Sequence, residues 1–396
     1  MVSPRASLYI HIPFCASFCD YCDFYSVSAN SYNDENIKTF LSALITDIKS
    51  QIDFFSVKEI PACYIGGGTP SVLGKNIVIL FDALKALPSF SPFEFTIEAN
   101  PESLTEDFLI SCIEGGVNRL SLGVQTFHEP SRLAVNRQGG TLLNERLTLA
   151  SRFFPPGQEE KTLSVDLVTG LPFSNEKTTL EDIKRILNFV PSHISLYSLT
   201  IEKNTPLGEK IKNKTVTLPE SDISDSLWLS GKEALKKAGF EHYEVSNFAY
   251  SGKRCLHNIR YWQMQNWIGA GPSASGTIIN DEAGCESRGT RAARFTFAPN
   301  VDIYNDQVLK NNLLIPVKND QICGYEEIDN KVLLKETLLM GFRYIDGHDK
   351  CLFKQRFGYT IEDCIPQTIK KWEGKDKMLF LNSFLTDAFE EIDKSE

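Results

Sequence analysis

The sequence lacks long hydrophobic runs, an apolar leader and an excess of basic residues. No stretch of about 18 consecutive apolar residues occurs in its 396 residues, which excludes a typical transmembrane helix. The first residues, Met1-Val2-Ser3-Pro4-Arg5, do not form an apolar signal segment, so we expect a cytoplasmic protein. Because the cytosol is reducing, we do not expect the 10 cysteines to pair as disulfides.

The charge balance is acidic. The chain has 41 Lys and Arg against 51 Asp and Glu, which gives a formal net charge of −10. Nucleic acids and anionic membranes attract basic surfaces, so this balance argues against a nucleic-acid partner and against a general membrane-binding surface. It leaves open a local basic pocket and a peripheral contact with a membrane.

Three cysteines stand close together after a short apolar run near the N-terminus. Cys15, Cys19 and Cys22 have the spacing C-x3-C-x2-C. Three neighbouring thiolates can ligate three irons of a [4Fe–4S] cluster and leave the fourth iron open. A structural zinc site normally needs a fourth ligand, and the nearest candidate is His11, whose direction is fixed within a predicted strand. We interpret the remaining cysteines, which have no metal-ligand spacing, as small buried hydrophobic residues: Cys63, Cys112, Cys255, Cys285, Cys323, Cys351 and Cys364.

Short apolar runs alternate with amphipathic segments in the first half of the chain. The predicted strands are 8–12, 63–65, 95–99, 119–124, 164–168 and 194–199. Helical periodicity lies between them, at 37–48, 77–87, 108–113 and 183–190. Alternating strands and helices imply parallel pairing with right-handed crossovers. The sequence therefore predicts an α/β fold, a partial (β/α)6 barrel whose chemistry lies in the loops after the strands.

The alternation weakens in the second half. We predict helices at 223–238 and 329–342, a strand at 378–380 and a final helix at 384–392. The predicted domains are a barrel at 1–240, a barrel extension at 241–300 and an accessory domain at 301–396. The accessory domain is expected to be small and mainly helical, with a winged-helix-like unit as one arrangement.

Polar motifs lie at the ends of several predicted strands. Gly66-Gly67-Gly68-Thr69-Pro70 follows 63–65, and its glycines let the backbone approach a ligand and leave amides free for a charged group. Glu98, Gln125 and Asp166 stand near the ends of three later strands. Such a residue alone is more often a helix cap or a solvated edge. In successive barrel units, however, these side chains converge on one mouth, which predicts a shared site.

Five motifs together resemble a known family. Tyr-x-His-Ile-Pro-Phe-Cys, Gly-Gly-Gly-Thr-Pro, Glu-Ala-Asn-Pro, Gly-Val-Gln and Asp-Leu-x-x-Gly-Leu-Pro occur in the order seen in radical S-adenosylmethionine (SAM) proteins of the oxygen-independent coproporphyrinogen III oxidase family and their HemW relatives. The resemblance implies a [4Fe–4S] cluster on Cys15, Cys19 and Cys22 whose open iron binds SAM. It also implies contacts with SAM at Tyr9, Tyr21, Gly67, Gly68, Thr69, Glu98, Gln125, Arg137 and Asp166.

Three features separate the two branches of this family. The oxidase branch continues its cysteine motif as Cys-x-Cys and carries an N-terminal extension, whereas here Cys22-Asp23-Phe24 occurs and eight residues precede Tyr9. The run 257–262, HNIRYW, matches the HNxxYW signature of HemW-type haem chaperones. The resemblance thus implies that His257 ligates haem iron and that Tyr261 and Trp262 offer a flat surface to the porphyrin. Without this resemblance, a histidine among aromatic residues is more often a hydrogen-bonded core residue than a metal ligand.

The leading hypothesis is a haem chaperone that binds haem, a [4Fe–4S] cluster and SAM. Its expected partners are haem, an apo-haemoprotein acceptor and an electron donor for the cluster. The alternative is the oxidase, which decarboxylates coproporphyrinogen III with SAM, and a third reading is another radical SAM enzyme, since the fold hosts many reactions. Gly139 stands where the family commonly has a histidine, which puts a second ligand or proton role of that loop in question.

Overall fold

The predicted alternation of strands and helices forms an open α/β barrel in the computed structural model, which describes residues 5–280, 292–311 and 323–394. Within these ranges the strands are β1 (Ser7–Ile12), β2 (Phe14–Cys15), β3 (Val27–Ser28), β4 (Ile60–Gly67), β5 (Phe90–Ala99), β6 (Arg119–Gln125), β7 (Thr162–Thr169), β8 (His193–Ser198), β9 (Glu241–His242), β10 (Asn247–Ala249), β11 (Trp267–Ala270), β12 (Ser275–Ile279), β13 (Ala292–Phe297) and β14 (Cys323–Ile328). The helices are α1 (Asp34–Phe54), α2 (Ile77–Lys85), α3 (Glu106–Gly115), α4 (Glu129–Ala134), α5 (Leu143–Phe153), α6 (Glu176–Leu187), α7 (Pro206–Lys212), α8 (Ser221–Lys237), α9 (Leu256–Trp262), α10 (Val301–Asn311), α11 (Asn330–Gly341), α12 (Lys350–Phe357), α13 (Ile361–Cys364), α14 (Pro366–Lys371) and α15 (Leu381–Lys394).

The centre of the sheet is parallel. β1, β4, β5, β6, β7 and β8 pair in chain order, which confirms the partial (β/α)6 barrel. β11 pairs in parallel with the outer side of β1, and β12, β13 and β14 continue that edge in antiparallel fashion. At the opposite edge β10 and β9 add antiparallel strands beside β8. The sheet stays open, and the carboxyl ends of its parallel strands lie along one mouth.

Local sequence explains where the helices begin and which face they bury. Asn33 and Asn36 form a reciprocal capping box at the start of α1, and Phe40, Leu44 and Ile48 bury its apolar face. Thr105 caps α3, which ends where Gly116 takes a left-handed conformation with φ 91°. The helix predicted at 108–113 is therefore confirmed, and it ends at a glycine.

The buried residues form two main cores. The larger core lies between the sheet and its covering helices and includes Leu8, Ile65 and Tyr304, the last of them from α10. The second core is formed mainly by α11 to α15, around Leu338 and Phe384. Domain boundaries at 240 and 300 stay a prediction. Among the described residues, no helix has both the length and the apolar character needed to span a membrane.

Most predicted elements of the second half are confirmed, as α8, α11 and α15, but two expectations are wrong. Residues 378–380 are not a strand, because the amides of Met378 and Leu379 donate to the Asp376 side chain and hold a turn before α15. Cys351 is exposed rather than buried, and Cys364 is half-buried. Cys285 lies outside the described residues. The buried cysteines are Cys63, Cys112, Cys255 and Cys323.

Candidate functional site

The three clustered cysteines lie in the loop after β1, over the carboxyl end of the sheet. Their side chains are partly exposed and line one pocket of about 410 Å³. Cys15 Sγ lies 3.5 Å from Thr69 Oγ1, and Cys19 Sγ accepts a hydrogen bond of 3.3 Å from the Arg137 guanidinium. In the described part of the chain, no three His, Cys, Asp or Glu side chains are arranged to hold a single metal ion. A [4Fe–4S] cluster has a different requirement, since each thiolate ligates its own iron, and three thiols on one pocket wall fit it.

Three contacts of Asp20 hold this loop against the barrel. Asp20 forms an ion pair with Lys210 of α7, and its carbonyl accepts the amide of Leu207 at 2.7 Å. The amide of Asp20 in turn donates to the carbonyl of Val135 at 3.0 Å. The loop is therefore fixed to α7 and to the segment after α4 by the chain's own contacts.

The glycine run packs directly on the cysteine loop. Gly67 has φ 107°, and a Cβ there would lie 2.6 Å from the ring of His11; a Cβ on Gly68 would lie 2.8 Å from the carbonyl oxygen of Phe14. The amides of Gly68 and Thr69 donate to the carbonyls of Ile12 and Phe14 at 2.8 and 2.7 Å. The expectation that the amides of the glycine run stay free for a ligand is wrong for Gly68, because its amide joins the two loops. The glycines instead permit a contact that any side chain would prevent.

Two carboxylates lie in the same pocket. Tyr64 donates to Glu98 Oε1 at 2.7 Å, and the Ser121 hydroxyl lies 3.2 Å from Asp166 Oδ2. Burial, with a smaller contribution from Asp166, raises the pKa of Glu98 to about 7, and burial also raises the pKa of Asp166. Two desolvated carboxylates favour a cation, and SAM carries positive charge on its sulfonium and ammonium groups.

Arg137 and Gln125 complete the pocket. The Arg137 side chain is buried and donates to Asn100 Oδ1 at 2.8 Å, to the carbonyl of Gly123 and to Cys19 Sγ. Gln125 has φ 69°, an unusual value for a non-glycine residue, where the β6–β7 register shifts. The predicted SAM residues that line this pocket are Tyr21, Gly67, Gly68, Thr69, Glu98, Gln125, Arg137 and Asp166. Gly139 lines neither this pocket nor the next.

A second cavity of about 840 Å³ adjoins the first and shares Phe24, Gly67 and Glu98 with it. Its lining is rich in aromatic side chains and includes the predicted haem residues His257, Tyr261 and Trp262. Tyr9, predicted to contact SAM, lies here instead, with its hydroxyl 3.1 Å from His11 Nδ1 and its ring centroid 6.5 Å from that of His257. The structure thus brings the cluster and SAM candidates into one pocket and the haem candidates, together with Tyr9, into its neighbour.

The His257 imidazole is neutral, and one of its nitrogens is buried without a hydrogen-bond partner in the described part of the chain. Burial, with a smaller contribution from Arg260, lowers the pKa of His257 to about 3, so the imidazole is neutral at physiological pH. Its buried Nδ1 has no hydrogen-bond partner among the described residues. The ring centroid of Tyr64 lies 5.2 Å away and limits its rotation. A neutral, unpartnered ring nitrogen is the form in which histidine ligates metals.

Sequence reasoning missed Glu94, which holds the helix that carries His257. Its carboxylate accepts the amides of Leu256 at 2.8 Å and His257 at 3.0 Å, and the Cys255 thiol at 3.3 Å. These are the first amides of α9, which have no partner within the helix. The available signal was a charged residue between Phe93 and Phe95.

Comparisons with known proteins agree with this geometry. Residues 9–186 match the radical SAM superfamily model. A haem chaperone HemW of Buchnera aphidicola is 35% identical over 96% of this chain and 98% of its own, and that of Bacillus subtilis is 30% identical over 92% and 90%. The mouse mitochondrial radical S-adenosyl methionine domain-containing protein 1 is 32% identical over 86% of this chain and 74% of its own.

The fold has a solved counterpart in the coproporphyrinogen III oxidase HemN of Escherichia coli. That structure superposes with a TM-score of 0.75 over 98% of this chain and 91% of its own, at 19% identity. At this identity the likeness establishes the architecture and not the activity. The relatives that match at 30% identity or more over nearly the whole chain establish the family. On both grounds, the chain belongs to the HemW family of radical SAM proteins.

Proposed function

We propose that the protein is a haem chaperone that binds haem in the 840 Å³ cavity and delivers it to apo-haemoproteins, respiratory enzymes among them. The observation that carries the proposal is His257, a neutral imidazole with an unpartnered nitrogen on the wall of a cavity rich in aromatic side chains. The cavity volume lies in the range of ligand sites, roughly 300–1,000 Å³. The names of the HemW relatives support the same ligand.

Membership of the radical SAM superfamily brings a [4Fe–4S] cluster and SAM as cofactors. We assign the cluster to Cys15, Cys19 and Cys22 and SAM to the pocket beside them. When bound, the cluster and SAM supply electron-transfer and radical chemistry. The chain's own contribution is to orient SAM through Glu98 and Asp166 and to shield the pocket with the cysteine loop.

The remaining partners are proposed from exposed side chains near the cluster pocket and near the C-terminal helix. An electron donor would approach the open mouth of the cluster pocket, where Phe18 is 46% exposed. Peripheral contact with a membrane would use Leu379 and Phe380, which are exposed beside Lys375 and Lys377. A cytoplasmic location suits the described cysteines, which are free thiols.

A haem titration of anaerobically reconstituted protein tests the proposal. We expect wild type to give a Soret band that saturates near one haem per chain, and His257→Ala to lose most haem while keeping its iron and SAM affinity. His128→Ala is the matched control, because His128 lines neither cavity. Haem binding that does not depend on His257, together with turnover of coproporphyrinogen, would overturn the chaperone assignment in favour of the oxidase.

A further inference from the structure

An ion pair forms part of the wall of the 840 Å³ cavity, in which we place haem. Arg294 on β13 donates to both carboxylate oxygens of Glu336 on α11, with Nη1–Oε1 3.0 Å and Nη2–Oε2 2.6 Å. Its Nε lies 3.3 Å from Thr277 Oγ1, and its Nη1 also lies 3.5 Å from Oε2 of a second acidic residue, the exposed Glu326. Both side chains of the pair are about three-quarters buried, at 26% and 23% exposure, and both line the cavity.

The strand register fixes the direction of Arg294. Along β13, Phe295 and Phe297 pack into the main core, so Arg294 lies on the opposite face of the sheet. That face looks toward α11, which contributes Leu339 and Met340 to the same cavity. The guanidinium is therefore held at one place on the cavity wall by the sheet, by Thr277 and by Glu336.

The charge of the cavity makes this arginine distinctive. Among the described residues that line the cavity, Arg294 is the one Lys or Arg, and Asp23, Glu98 and Glu336 are acidic. The other walls are mostly aromatic or apolar, such as the Tyr261 and Trp267 rings, whose centroids are 4.7 Å apart. Such walls suit the flat body of a porphyrin but not its carboxylates, which need a cation when they leave water.

We propose that Arg294 is the carboxylate-binding group of this cavity and binds a propionate of the tetrapyrrole. The guanidinium presents five N–H donors in a planar fork, and Nη2 has a second N–H beyond the one donated to Glu336. Glu336 keeps the guanidinium oriented while the propionate binds. The inference rests on the proposed function, since it takes the occupant of the cavity to be a porphyrin. It adds a ligand preference: the cavity should bind tetrapyrroles with free carboxylates better than the esters of the same tetrapyrroles.

Haem and haem dimethyl ester, titrated into the reconstituted full chain, test this specificity. We expect Arg294→Gln to weaken haem binding about ten- to a hundredfold, the value of a charge-assisted hydrogen bond, and to leave the ester unchanged. Arg254→Gln is the matched control, because Arg254 also joins two acidic residues at 27% exposure but lines neither cavity. We expect this control to bind both ligands as wild type does.

Two further variants separate recognition from folding. Glu336→Gln keeps a hydrogen-bond acceptor for Arg294 and removes a negative charge, so haem should bind at least as tightly as in wild type. If Arg294→Gln does not fold, the double variant Arg294→Gln, Glu336→Gln removes both charges of the buried pair, and Glu326, which alone loses its partner, is 58% exposed. This double variant should show the same loss of preference for haem over its ester.

The outcomes distinguish this inference from the function on which it rests. If haem binds through His257 but Arg294→Gln has wild-type affinity, or loses haem and ester equally, the inference is wrong and the chaperone assignment stands. If wild type does not bind haem, the proposed function fails, and the carboxylate site fails with it.

Discussion

Glu98 lies where the two cavities meet, and we predict that its ionisation controls SAM affinity. The carboxylate lines both cavities and accepts the Tyr64 hydroxyl at 2.7 Å. Its pKa is raised to about 7, chiefly by burial and further by Asp166. SAM is cationic and donates hydrogen bonds, so it binds better to the ionised carboxylate than to the protonated one.

The sign and size of the pH effect follow from this pKa. Below about pH 7 the carboxyl of the free protein is mostly protonated, and above it mostly ionised. Between about pH 6 and about pH 8 the ionised fraction rises about tenfold, and SAM affinity should rise by up to the same factor. Glu98→Gln removes the charge but keeps an acceptor for Tyr64, so it should weaken SAM binding at pH 8 about ten- to a hundredfold.

Calorimetric titration of SAM into the reconstituted protein measures both effects. Glu102→Gln is the control, since this carboxylate accepts the Ser17 hydroxyl but lines neither cavity. In Glu98→Gln the pH dependence should be lost while the iron content is unchanged. Equal SAM affinity at the two pH values in wild type, or a variant that binds as tightly, would refute the role given to Glu98.

Two other predictions concern the cluster and the haem ligand. Single changes to Ala at Cys15, Cys19 or Cys22 should abolish the broad cluster absorption and reduce the iron content from about four per chain. Cys351→Ala, at an exposed position, is the control and should change neither the absorption nor the iron content. Stoichiometric zinc in place of iron in the wild type would contradict the cluster assignment. Glu94→Ala removes the acceptor of the first α9 amides, so it should shift the Soret band of bound haem and lower the free energy of unfolding by about 1 kcal/mol. Glu94→Gln keeps an acceptor, so its Soret band and its stability should stay close to those of wild type. An unchanged Soret band in Glu94→Ala would contradict the idea that Glu94 positions His257.

The sequence predicted the mouth of the barrel well because parallel strands end at one edge. Glu98, Gln125 and Asp166 come from three successive strands, and alternation of strands and helices alone brings them together. Tyr9 was harder to place. The sequence shows that Tyr9 and His11 share a face of β1, but not that this face looks into the neighbouring cavity.

The missed residues depend on contacts between distant parts of the chain. Glu94 meets the amide of His257 across 163 positions, and Arg294 meets Glu336 across 42. The strands that flank the barrel follow the same rule, because β11, which comes after all six barrel strands in the sequence, pairs with β1, the first of them. No local periodicity encodes such pairings, since a strand reveals its faces but not its neighbour.

One strand connects the two functional cavities. Glu94 and Glu98 lie four positions apart on the same face of β5, while Phe95 and Ile97 of the other face belong to the main core. Glu94 holds the start of α9, and with it His257, whereas Glu98 lines both cavities. A strand rises about 3.3 Å per residue, so Glu94, which holds the start of α9, and Glu98, which lines both cavities, are about 13 Å apart on one strand. The core side chains of β5 therefore fix the distance between the two sites, and neither site can move along the sheet without disturbing that packing.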